Sequence, residues 1–206
     1  MRSRRTGAAF TASLRKADCF ATLVRLLIFE NRYRGLESRA CKLLQRLPTT
    51  SGDPIRVRFV HDLSAHGPIH AGSLLRERRM LLETSLANDR AEFARIFIHE
   101  IFHFVWLRLG NPRRRSYEML VATEIAAGAK GELGWSAEWR KKALGSSDRR
   151  RRTRRWREYI CESFCDSAAW LWSETRRHRE FTLAARFRPA RREWFERTIA
   201  GTGISV

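Results

Sequence analysis

Between Asp89 and Leu109 the chain is rich in apolar residues, and its centre reads His99-Glu100-Ile101-Phe102-His103. Phe93, Ile96, Phe97, Ile101, Phe104 and Val105 recur at spacings of three and four, the period of a helix. Asn88 and Asp89 are residue types that cap helix starts, and Glu92 adds a negative charge to the first turn. Gly110 and Pro112 end the run. The spacing therefore predicts a helix over about 89–109, and a helix this apolar belongs in a core. Its two histidines and its glutamate come with it.

Residues four apart on a helix share a face, so His99 and His103 can reach one metal ion. Glu100 then lies beside the ion, where its carboxylate can take a proton from an activated water. A hydrolytic zinc site needs a third protein ligand. The extended pattern HExxHxxGxxH is excluded, because Trp106 and Leu109 stand where glycine and histidine would be. The remaining histidines are His61, His66, His70 and His178, and Gly67 and Pro68 keep His66 and His70 off a common helix. A carboxylate is the better candidate. Glu118, Glu124 and Glu162 compete, and only Glu162 has an aspartate, Asp166, four residues on. One helix face would then offer both a ligand and a partner for a ligating imidazole, whose second ring N–H needs an acceptor. This favours Glu162, with Glu124 second. Packed core histidines and a solvated Glu162/Asp166 face are the bland alternative.

Joined in this way, HExxH and Glu162-Ser163-Phe164-Cys165-Asp166-Ser167-Ala168-Ala169 resemble the gluzincin zinc metallopeptidases. The second segment looks most like that of the M48-type peptidases, and less like that of the ImmA/IrrE type. The resemblance spans about residues 79–175. It implies a zincin-like core holding one Zn2+ per chain, with His99, His103 and Glu162 as ligands. It further implies Glu100 as general base, Asp166 as the residue behind the ligands, and a peptide or protein as substrate. The chain departs from the M48 pattern in having no apolar run of membrane-spanning length.

The net charge of +19 bears on partners. Of 41 basic residues only Lys16, Lys42, Lys130, Lys141 and Lys142 are lysines. The densest arginine run is Arg149–Arg155, with a second cluster at Arg113–Arg115. Such a run can meet a polyanion, an acidic protein or an anionic membrane surface, or be a solvated insert. A basic nucleic-acid-binding or interaction protein with an inactive or structural zincin-like core is thus the competing expectation to a peptidase. Cys19, Cys41, Cys161 and Cys165 form no CxxC pair. Cys161 and Cys165 flank Glu162 and could in principle ligate zinc, but they read as small buried hydrophobes. Free thiols suit a reducing cytoplasm.

The expected organisation is one mainly helical α+β domain over 1–206, with a small sheet beside the HExxH helix. Two helices are expected within 11–47, broken near Gly35, as an N-terminal unit ending at Pro48. Thr49–Pro54 reads as a turn. Ile55–Val60 alternates apolar and basic residues as a half-buried strand does. His61–Ser73 reads as a loop and Arg79–Thr84 as a second strand, which could pair with an extended peptide if it lies at a sheet edge. Helices follow at 117–130, 136–144, 156–176 and 190–199, with 145–155 as a basic linker. For an oxyanion donor Tyr117, Tyr159, His178 or an arginine are the candidates.

Overall fold

The computed structural model describes residues 26–63 and 70–206. The first expected N-terminal helix and His66 lie mostly or wholly outside that range. Four strands form the main sheet: β1 (Leu27–Phe29), β3 (Ile55–Val60), β4 (Ala71–Leu74) and β5 (Arg79–Glu83), in the order β1-β3-β5-β4. β1, β3 and β5 are parallel, and β4 closes one side antiparallel to β5. A second, two-stranded sheet pairs β2 (Thr50–Ser51) with β6 (Ile204–Ser205). The helices are α1 (Leu36–Leu44), α2 (Arg90–Arg108), α3 (Asn111–Ala126), α4 (Trp135–Lys142), α5 (Asp148–Arg151), α6 (Arg154–Trp172) and α7 (Arg188–Phe195). The class is α+β and mainly helical.

Helix α2 organises the rest. Asp89 caps it, its Oδ1 accepting from the Ala91 and Glu92 N–H groups at 2.9 Å. Apolar residues cover all of its faces, and Phe93 through Val105 are buried apart from His103. One side meets α6 and another meets strand β4. A helix apolar all round is stable only when enclosed in this way. In β3, Ile55, Val57 and Phe59 point inward while Arg56 and Arg58 face solvent, the alternation expected of a half-buried strand.

Several expectations are corrected. Residues 27–29 are a strand, because Leu27 and Phe29 register beside Ile55 and Val57 of β3. The turn at Thr49–Pro54 contains β2, whose partner lies at the far end of the chain. The strand at 79–83 is interior. Among the described residues β4, in the segment read as loop, is one edge of the sheet and β1 the other. Helix α3 starts six residues early, with Pro112 in its first turn, where a missing N–H costs nothing. Arg114 turns back from it onto the carbonyls of Trp106 and Leu107, filling acceptors at the end of α2.

The basic segment is not a free linker. Asp148 accepts from the Gly145 N–H and the Thr153 hydroxyl, which shapes α5. Arg152 forks onto Glu118 of α3 at 2.7 and 2.8 Å, and Arg115 reaches the same carboxylate. The two arginine clusters thus meet at one glutamate. Among the described residues no helix is long and apolar enough to cross a membrane.

Candidate metal centre

The helical spacing of α2 sets His99 and His103 one turn apart, with ring centroids 4.9 Å apart and Nε2 atoms 3.1 Å apart. Helix α6 crosses the same face and brings four of its residues to the pair. Glu162 Oε2 lies 3.2 Å from His99 Nε2 and 3.9 Å from His103 Nε2. Asp166, one turn later, meets His99 from behind, with Oδ1 2.7 Å from Nδ1. Its other oxygen accepts from the Ala137 N–H at 2.9 Å, in the first turn of α4. Gly134 makes room for it, since a Cβ there would overlap the Asp166 carboxyl group. Arg140 of α4 returns to the site, its Nη2 3.2 Å from Glu162 Oε1.

Glu100 is buried next to the pair. Strand β4 supplies its partner: the Ser73 hydroxyl donates to Glu100 Oε2 at 2.6 Å. Oε1 makes no hydrogen bond among the described residues. On the far side of His103, Nδ1 faces two sulfurs, Cys165 Sγ at 3.5 Å and Cys161 Sγ at 3.7 Å.

The charges follow from this packing. Burial favours a neutral His99 ring, but the Asp166 carboxylate overrides it, Glu162 adds to the effect, and the imidazolium is held well above its ordinary range. Burial would likewise raise Glu162. The two imidazoles and Arg140 outweigh it and bring the carboxyl down to about 2. In Cys161 the hydrogen bond from Cys165 is the largest influence and, with His103, lowers the thiol to about 6 against the effect of burial. A carboxyl lowered in the folded state stabilises the fold above its unfolded value, and the contribution disappears as pH falls through the folded value. The Glu162 contribution is therefore complete above 4.5 and vanishes toward about 2. Metal-free Glu162→Gln protein is expected to lose less stability than wild type over that window, a difference measurable by chemical denaturation at stepped pH.

The other candidates go elsewhere. Glu118 holds Arg152 and accepts from the Trp156 indole, and Glu124 is enclosed against Arg191. Neither is a ligand candidate in this arrangement. Tyr117 hydroxyl donates to the Ser163 carbonyl and Tyr159 donates to Glu132, both fully buried. His178 pairs with Glu92, and His70 with Glu83. Glu92, His178 and Glu180 do cluster, but Arg95 occupies the centre of that group through both glutamates. A cavity of about 460 Å3 beside the β2–β6 pair is lined by Arg108, Arg113 and Thr202 among others and includes none of the residues around His99.

Two donor groups can be drawn around the histidines. His99, His103 and Cys165 bring one atom each within 4.8 Å of one another. His99, His103 and Glu162 do so through both Nε2 atoms. The second fits better, because Cys165 stands against the opposite nitrogen of the His103 ring. Ser73, Arg140 and the sulfur contacts are not foreseen from sequence. The cysteines carried a signal, since residues 161, 162, 165 and 166 share one helical face. Comparison of the chain with protein-family models, with curated proteins and with solved structures returns no match.

Proposed function

We propose that this chain is a zinc-dependent metallopeptidase with a zincin-like core, in which His99, His103 and Glu162 hold the ion and Glu100 is the general base. The observation that carries this reading is the convergence of two imidazole Nε2 atoms and one carboxylate oxygen at 3.1, 3.2 and 3.9 Å, with a second buried carboxylate beside them. Tetrahedral zinc with arms of about 2.0–2.1 Å separates its ligands by roughly 3.3 Å, so the donor set fits in both chemistry and spacing. When bound, the ion supplies Lewis acidity that lowers the pKa of water and polarises a carbonyl.

The protein groups then divide the remaining work. Glu100 takes the proton from the attacking water and returns it to the leaving amine. Ser73 holds one Glu100 oxygen, and the other, without a hydrogen bond among the described residues, serves that transfer. Asp166 accepts from His99 Nδ1–H and so fixes the tautomer whose Nε2 lone pair points into the site. Strand β4 runs past Glu100 and pairs with β5 alone among the described residues, so its open side can receive an extended peptide. Arg140, which reaches Glu162 Oε1 at 3.2 Å, is a cationic donor available to a developing oxyanion. Free thiols fit a cytoplasmic setting.

Metal content by mass spectrometry tests the reading. About one zinc per chain is expected in wild type and in Glu124→Ala, and none in Glu162→Ala. Wild-type protein that binds no zinc when the metal is supplied overturns the proposal.

A further inference from the structure

His99 and His103 are fixed by different chemistry. Behind His99 stands the Asp166 carboxylate at 2.7 Å. No carboxylate or carbonyl among the described residues lies behind His103, where two sulfurs occupy the Nδ1 side. Cys165 is fully buried and Cys161 partly so, and α6 carries them one turn apart, on either side of Glu162. An imidazole that binds metal through Nε2 carries its proton on Nδ1, and that N–H needs an acceptor. The other neutral tautomer, protonated on Nε2, would aim its lone pair at the sulfurs and away from Glu162.

We propose that Cys161 and Cys165 are positioning residues for the metal centre: their sulfurs accept the His103 Nδ1–H and hold the ring with Nε2 toward His99 and Glu162. The inference rests on the zinc reading above and adds a thiol requirement that HExxH and ExxxD segments do not contain. Both sulfurs lie within reach of the same N–H, Cys165 Sγ at 3.5 Å and Cys161 Sγ at 3.7 Å. Cys165 closes the pocket from the buried side. Reagents or oxidants that consume these thiols would weaken metal binding without touching a ligand.

The test is zinc affinity by competition with a chromophoric chelator on the full chain. The variants are Cys161→Ala/Cys165→Ala, Cys161→Ser/Cys165→Ser and the two single alanine substitutions. Loss of a group behind a ligating histidine typically weakens binding by roughly 10- to 100-fold, and a loss of that size is expected in the double alanine variant. The double serine variant restores acceptor atoms and is expected to recover most of it. Thermal midpoints of the metal-free forms are measured alongside. A structural role alone would lower the midpoint and leave affinity unchanged, which overturns the proposal. Cobalt substitution supplies a second readout. Thiolate-to-cobalt charge transfer in the near ultraviolet, abolished by Cys165→Ala, would make Cys165 a ligand and also overturn it. Wild-type protein without metal affinity removes the peptidase reading and this inference together. Wild-type affinity preserved in every cysteine variant removes this inference alone.

Discussion

Glu100→Gln protein is expected to keep its zinc and lose peptide hydrolysis by roughly 10²- to 10⁴-fold, the usual size of a general-base contribution. At 1.36 kcal/mol per decade that is about 3–5 kcal/mol of barrier. Glutamine preserves the length of the side chain and can still accept from the Ser73 hydroxyl, now 2.6 Å from Glu100 Oε2. It cannot take a proton. The side chain is buried and contributes nothing to the donor triangle of His99, His103 and Glu162, so metal content should not change. The measurement is kcat/KM on a peptide substrate beside zinc content on the same preparation. Hydrolysis that survives in the zinc-loaded variant would remove Glu100 from the mechanism. Zinc lost with activity would make Glu100 a contributor to the metal site instead.

Arg191→Met should be the most destabilising single change away from the site. The Arg191 side chain is fully buried and lies 2.7 Å from Glu124 and 2.7 Å from Glu132. It also donates to the Ser163 and Ser167 hydroxyls at 3.0 and 3.1 Å, on the helix that carries Glu162 and Asp166. Lys141 supplies a second cation to Glu132, so two cations meet two carboxylates. Removing the arginine leaves a buried negative charge uncompensated, which typically costs about 3–5 kcal/mol. Against a total stability of roughly 5–15 kcal/mol this is a large fraction. For a domain of this size it lowers the thermal midpoint by roughly 6–20 °C. A scanning calorimeter reads it directly. Adding Glu124→Gln to the variant is expected to restore part of the loss, because the orphaned charge goes with it. A Met variant that melts with wild type would show that the carboxylates find water or new partners.

These two residues also mark what sequence can and cannot reveal. The motif helix was legible to within a residue at each end, since its period, cap and terminators are all local. The placement of Glu162 and Asp166 on one face beside the histidines was legible too, because a spacing of four within one helix carries both carboxylates there. The true company of Glu124 was not. Arg191 lies far along the chain, and no local pattern distinguishes it from the other arginines. The same holds for Cys161 and Cys165, whose contact with His103 needs two helices to cross. Residues 27–29 give no strand signal in sequence, because a short apolar run has no period of its own and only its neighbour β3 makes it a strand. The edge strand β4 was hidden by the Gly67, Pro68 and Gly72 signals around it. Its glycine carries a strand backbone, and Ser73 next to it carries the contact to Glu100.

Gly134 has no side chain to offer the chemistry, yet Asp166 occupies the space where its Cβ would be. One carboxylate steadies an imidazole with one oxygen and the start of α4 with the other, and the backbone yields at Gly134 to let it in. In a lineage of such chains, His99, Asp166 and Gly134 would have to be inherited as one unit. A drift to alanine at the glycine would act on the histidine as surely as a substitution of the aspartate. A search for kin that scored only histidines and glutamates would overlook the third member of that unit.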